Sequence, residues 1–342
     1  MICNAPFNNI YLTLEGKVSP CWKLTDYCDQ WSEDRSIMDI WNGDKFKKYR
    51  SALKKDIFLE RCKECKQDID NDVWPLARAY NEYPVNDFWP SMMELELSNQ
   101  CNLECIMCNG TLSSGIRKNR DKLPPMPMVY TDKFVEQLNE FIPHLTEIRF
   151  NGGEPLAQKI ILDICENISR INPELKINIA TNGTVYNKRV KGLLEKCNIH
   201  LNISIDSLIK EQYEKIRING NFDMLMKNFE IFKKYCHDNN REICIMVNPM
   251  RNNWGEMVHF AVWCDNHNVN LWFNTILYPA HLALFNLPSK ELTRIIKQLK
   301  KDLENAYLIN FNSFLSKNFD KVNHLINNQI ENWLWENLEN GK

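Results

Sequence analysis

Residues 93–108 read MELELSNQCNLECIMC. The first five, Met93–Leu97, alternate apolar and acidic residues and predict a short β-strand. Cys101, Cys105 and Cys108 follow at once, spaced C-x3-C-x2-C on the loop that leaves that strand. Three thiolates on one loop can hold three irons of a [4Fe–4S] cluster and leave the fourth iron without a protein ligand. An open metal position suits a reactive site. A structural zinc site is closed by four ligands, usually from C-x2-C or C-x4-C pairs.

Downstream of this loop, short β-rich runs alternate with longer amphipathic stretches. Strands are predicted at Glu147–Phe150, Lys176–Ala180, His200–Ser204, Glu242–Val247 and Asn270–Asn274. Helices are predicted after Thr131-Asp132, over Ile160–Ile171 and Lys188–Cys197, from Glu211 and from Asp223, and over Gly255–Asn266. Strand–helix alternation implies right-handed βαβ units and a parallel sheet. With the strand at Met93–Leu97, these units predict an α/β fold, either an incomplete barrel or a curved open sheet. Ligand sites in such folds lie at the carboxyl ends of the strands. The chemistry-bearing residues fall there: the cysteine loop, then Asn151-Gly152-Gly153-Glu154, then Thr181-Asn182-Gly183, then Ser204-Ile205-Asp206. Each loop alone is an ordinary turn signal, but together the four are expected to converge on one rim.

Composition excludes several classes. The chain has 342 residues, 42 Lys plus Arg and 44 Asp plus Glu, for a net charge of −2. Phosphate-neutralising affinity for nucleic acid is therefore not expected. No apolar run reaches the length of a membrane span, and the opening MICNAPFNNI has no signal-peptide pattern. There are 13 cysteines, an odd number, which points to a reducing compartment where clustered thiolates bind metal. A cytoplasmic location is expected. Cys165, Cys197, Cys236, Cys244 and Cys264 are scattered singly and read as small buried hydrophobes.

Residues 1–90 form a separate block. NIYLTLEGKVS carries Gly16 at a hairpin turn, a helix is predicted over Ile37–Leu53, and Cys62-x2-Cys65 closes the run. Cys3 and Cys21 flank the hairpin. Four thiolates, Cys3, Cys21, Cys62 and Cys65, could converge on a second cluster, with a zinc ribbon as the plainer alternative. The block has too little core to stand alone. Cys28 is left over: a substitute ligand, a hydrogen-atom donor or an inert thiol. From Ser289 onward, two or three helices with an apolar face are expected.

The C-x3-C-x2-C loop after strand one, with Gly152-Gly153-Glu154 after strand two, resembles the radical S-adenosylmethionine superfamily. The resemblance covers roughly residues 92–275 and implies a partial (β/α)6 TIM barrel. It implies that the cysteines 101, 105 and 108 hold a [4Fe–4S] cluster whose open iron chelates S-adenosylmethionine. It also implies that Gly152, Gly153 and Glu154 bind the methionine amino group, and that Thr181 and Asn182 make polar contacts. Ser204 and Asp206 resemble the ribose contacts, and Arg217 an arginine that pairs with the methionine carboxylate. Before the last cysteine, where an aromatic residue is frequent, this chain has Met107. The N-terminal block resembles a twitch or SPASM-type auxiliary-cluster module, here ahead of the barrel. The domain division this gives is 1–90 auxiliary module, 91–280 barrel and 281–342 helical extension.

The resemblance implies reductive cleavage of S-adenosylmethionine and hydrogen abstraction from a substrate by a 5′-deoxyadenosyl radical, fed by an electron donor such as flavodoxin or ferredoxin. Modification of a peptide or protein is the leading expectation. Dehydrogenation of a small polar metabolite such as a sugar alcohol is the alternative, and a non-catalytic iron–sulfur or zinc scaffold the remote one. His281, past the last strand, and Cys28 are the weak catalytic candidates.

Overall fold

The computed structural model describes residues 3–24, 27–70, 76–86, 88–309 and 316–339. The chain divides into two compact units. The first comprises residues 1–101, 123–180 and 186–200; the second comprises 102–122, 181–185 and 201–342.

The first unit contains β1 (Asn9–Leu12), β2 (Lys17–Ser19), β3 (Asp29–Gln30), β4 (Met92–Glu96), β5 (Glu147–Asn151) and β6 (Lys176–Thr181), in the order β3-β2-β1-β4-β5-β6. β1 and β2 form the expected antiparallel hairpin. Gly16 turns it at φ +79, where a Cβ would meet Val129 Cγ1 at 2.8 Å, so only glycine fits. β1 also pairs in parallel with β4, Asn9 opposite Met92 through Leu12 opposite Leu95. The N-terminal block is therefore part of the same sheet as the first strand of the βα series, which the sequence did not indicate. Every residue of β1 is buried. The helix predicted over Ile37–Leu53 is two helices, Ile37–Trp41 and Asp44–Leu53. Asn42-Gly43 interrupts it, and Gly43 N-caps the second helix in extended backbone.

Register aligns polar side chains across the first unit. Tyr11 lies opposite Glu94, Glu94 opposite Arg149, and Arg149 opposite Asn178. Glu94 is buried and accepts from Tyr80 Oη at 2.8 Å and Asn9 Nδ2 at 2.9 Å. Arg149 Nε reaches Glu147 at 2.6 Å, and Arg149 Nη2 reaches Tyr83 Oη at 2.7 Å. Buried carboxylates persist only with such partners.

β7 (Ile199–Ser204, of which Leu201–Ser204 belong to the second unit), β8 (Ile243–Val247) and β9 (Asn270–Phe273) run parallel in that order. On β8, Ile243, Ile245 and Val247 are buried while Cys244 and Met246 are half-buried, so the two faces differ as strand alternation requires. Helices cover Lys210–Ile216, Phe222–Asp238 and Met257–His267. The C-terminal part holds Ser289–Ile309, Lys317–His324 and Glu331–Glu339, with a π-helical turn over Leu325–Ile330 between the last two. Asn318 docks this part at β9: its Oδ1 accepts from Leu271 N at 2.8 Å and its Nδ2 donates to Val269 O at 2.9 Å.

Candidate active site and auxiliary thiol pocket

In the second unit the cysteine loop is pinned on both sides of Cys105. Glu104 N donates to Ile218 O and Ile106 N to Ile216 O, each at 2.9 Å. Glu104 Oε1 accepts from Asn119 Nδ2 at 2.6 Å and Asn219 Nδ2 at 2.9 Å. Ile106 and Met107 pack on Ile216, Met250, Ile276, Leu282 and Ala283. Cys105 is buried and Cys108 half-buried; Cys101, the last residue of the first unit's opening stretch, is half-buried. Burial pushes the Cys108 thiol up, against the pull of the Asn109 backbone and of Arg217 and Arg120.

The same unit brings Arg217 and Asp206 to this loop. Arg217 Nη2 lies 2.7 Å from Asp206 Oδ2, and Nη1 lies 3.9 Å from Cys105 Sγ. Asp206 is fully buried, and its Oδ1 accepts from Asn248 N and Nδ2 at 2.8 and 2.9 Å. The ribose expectation for Asp206 thus meets a carboxylate whose partners are inside the protein. Asn182 Nδ2 donates to Asn102 Oδ1 at 2.9 Å, and Asn102 Nδ2 donates to Thr184 Oγ1 at 2.8 Å, tying the cysteine loop to residues 182–184. Thr181 Oγ1 accepts from Gly183 N. Ser204 stands half-buried at the end of β7, opposite Met246.

The Gly152-Gly153-Glu154 segment belongs to the first unit. Gly152 and Gly153 have φ of +77 and +55. A Cβ on Gly153 would lie 2.4 Å from Gln100 O, so the backbone packs against the residue before Cys101. Glu154 N donates to that same Gln100 O at 2.8 Å. Glu154 is fully buried, and its Oε1 accepts from Leu156 N at 3.1 Å. Gln158 clamps the turn from Ser98 O and Gly152 O. Beside it, Glu96 hydrogen-bonds Tyr11, and burial raises its carboxyl above the ordinary value. The sequence reading missed Glu96; its signal was the acidic alternation in MELEL.

Cys3, Cys21, Cys62 and Cys65 line one cavity of the first unit, together with Leu24, Leu53, Phe58, Ala77 and Tyr80. Lys23 and Arg61 supply positive charge at its wall. Burial, then the other thiols, pushes Cys62 up to about 12 and Cys21 still higher; Cys3 is pushed up to about 11, mainly by burial. The thiols are therefore neutral near pH 7 and release protons when they bind metal. Among the described residues no three His, Cys, Asp or Glu side chains are grouped as ligands of a single ion; the four thiols instead surround a void. An all-sulfur donor set with cations at its edge fits an anionic iron–sulfur cluster.

The remaining candidates lie elsewhere. Cys28 is buried, its backbone N–H bonded to Val18 O, and it does not line the four-thiol cavity. His281 is exposed in the turn after Pro279. Cys165, Cys197, Cys236 and Cys264 are buried and Cys244 is half-buried.

The radical SAM superfamily model matches residues 95–261, and the model of the SPASM iron–sulfur cluster-binding domain matches residues 3–66. The chain belongs to the radical SAM superfamily, with its iron–sulfur cluster-binding domain ahead of the radical SAM domain. The radical SAM domain is of the α/β class, and the cofactors of the two matched domains are [4Fe–4S] clusters and S-adenosylmethionine. Similar curated proteins include GTP 3′,8-cyclase of Lactiplantibacillus plantarum, 25% identical over 203 residues, covering 58% of this chain and 57% of that protein. GTP 3′,8-cyclase of Clostridium perfringens is 26% identical over 223 residues, covering 64% and 66%. The chain thus spans less than two thirds of these relatives' length. Among solved structures, Streptococcus suis SuiB bound to S-adenosylmethionine is similar at 14% identity and a TM-score of 0.46, covering 76% of this chain and 57% of that one. Among the described residues no helix is long and apolar enough to cross a membrane.

Proposed function

We propose that this enzyme abstracts hydrogen from a peptide or protein substrate in the cytoplasm and completes a net oxidation, with flavodoxin or ferredoxin as electron donor. The observation that carries the reading is the four-thiol cavity. A cluster fully ligated by Cys3, Cys21, Cys62 and Cys65 has no open iron for substrate and is suited to electron transfer. In this reading cysteines 101, 105 and 108 hold the second cluster, which with S-adenosylmethionine supplies a 5′-deoxyadenosyl radical.

The chain's own residues do the positioning. The Gly152-Gly153-Glu154 turn, held against Gln100, presents backbone and carboxylate to the methionine amino group. Asn182, Thr181 and Ser204 supply polar contacts, and Arg217 supplies charge for the methionine carboxylate. Asp206 acts through Arg217 rather than on the ribose. Catalytic roles for Cys28 and His281 gain no support, because one is in the core and the other on the surface. The division into 1–90, 91–280 and 281–342 belongs to the same proposal.

A second reading is favoured by the curated relatives named GTP 3′,8-cyclase: a nucleotide substrate and a radical rearrangement without net oxidation. Anaerobic assays of reconstituted protein with peptide pools, GTP and small alcohols distinguish the readings by 5′-deoxyadenosine formation and product mass. A peptide product lighter by two hydrogens supports the proposal; turnover with GTP alone overturns it.

A further inference from the structure

The pairing of Arg217 with Cys105 has more structure behind it than recognition of a carboxylate requires. Glu104 N and Ile106 N, on either side of Cys105, donate to Ile218 O and Ile216 O, on either side of Arg217. These two bonds fix the register between the cysteine and the arginine. Behind the guanidinium, Asp206 holds Nη2 at 2.7 Å and is itself immobilised. Its Oδ1 takes two hydrogen bonds from Asn248, and its backbone oxygen takes Asn253 Nδ2 at 2.8 Å. Nη1, a different nitrogen of the fork, faces Cys105 Sγ at 3.9 Å, and the buried Nε has no hydrogen-bond partner among the described residues. The ion pair is a fixed dipole whose positive end lies at the sulfur.

We infer that Arg217, clamped by Asp206, is a positioning residue that raises the reduction potential of the cluster held through Cys105. Reduction adds negative charge to a thiolate-ligated cluster. A cation and N–H donor at one sulfur stabilises the reduced form more than the oxidised one, and the effect is strong where water is excluded. The inference rests on the reading of Cys105 as a cluster ligand.

The test is an anaerobic, EPR-monitored reductive titration of the full chain without substrate. The relevant cluster is the one whose signal changes when S-adenosylmethionine is added. Arg217→Lys keeps a charge but loses the planar fork. Arg217→Gln combined with Asp206→Asn removes both charges, so no buried carboxylate is stranded. The expected result is a midpoint more negative than wild type in the double variant and a smaller shift in Arg217→Lys, with the four-thiol cluster unmoved. An unchanged midpoint in either variant for the signal identified in wild type, with full iron content, overturns the inference. Wild-type protein lacking any such responsive signal would instead sink the ligand reading itself.

Discussion

Tyr80 donates its hydroxyl to Glu94 Oε2 at 2.8 Å and also lines the four-thiol cavity. One side chain thus fastens the auxiliary pocket to the first strand of the parallel series. Tyr80→Phe keeps the ring and removes the bond, leaving Glu94 with Asn9 and Arg149. The expected loss is about 1–2 kcal/mol of stability, the cost of one buried charge-assisted hydrogen bond. Urea unfolding checks it, and iron content should be unchanged.

Gly153→Ala should damage the turn that precedes Glu154. The left-handed backbone disfavours alanine, and the added Cβ would lie 2.4 Å from Gln100 O. Backbone cannot yield as a flexible side chain can, so Glu154 N should lose its bond to Gln100. We expect S-adenosylmethionine binding to weaken by about tenfold or more, equivalent to about 1.4 kcal/mol. Equilibrium dialysis of reconstituted protein measures this directly.

Glu96 gives the protein a pH dependence of definite sign. Burial raises its folded-state carboxyl above the ordinary value of 4.5, so the folded protein holds that proton more tightly than the unfolded chain. The resulting stabilisation is complete below about pH 4.5 and disappears as pH rises through the folded-state value. Glu96→Gln keeps an acceptor for Tyr11 and removes the charge. The variant should be more stable than wild type at pH 7.5, with the gap closing toward pH 4. A gap independent of pH in denaturant titrations would refute this account.

Cys65→Ala should lower the iron content of reconstituted protein from about eight toward about four per chain, the loss of one four-iron cluster. Because Cys3 and Cys62 are pushed up to about 11 and 12, cluster assembly in this pocket must expel thiol protons. Reconstitution of wild type should therefore speed up between pH 7 and 9, and iron uptake should acidify weakly buffered solution. Colorimetric iron assays and a pH electrode suffice.

Glu104→Ala removes the carboxylate that gathers Asn119 and Asn219 around the cysteine loop. The backbone bonds to Ile216 and Ile218 remain. Global stability should fall by no more than about 1 kcal/mol, since these are partly exposed hydrogen bonds. The cluster on this loop should nevertheless be lost faster in air, followed as bleaching of its visible absorption.

The parallel series was legible because its signals are local. Short β-rich runs located all six of its strands to within a residue or two, and the loops after the first four carry the expected residue types. The C-x2-C pair and the hairpin cysteines likewise pointed to the common cavity. What escaped depends on long-range register. Nothing in NIYLTLEGKVS says that Asn9 will face Met92, or that Tyr80 will reach Glu94. The partners of Asp206 were also hidden, because Asn248 and Asn253 lie more than forty residues further along the chain. The break at Asn42-Gly43 was readable in principle from glycine's weakness inside helices, but amphipathic periodicity on both sides concealed it.

The pairing of β1 with β4 bears on how the N-terminal domain can be cut away. A shortened protein starting near residue 91 would bare the flank of β4, with a row of amides and carbonyls that β1 now satisfies. Such a flank recruits strands from other molecules, so the shortened protein should aggregate rather than behave as a minimal catalyst.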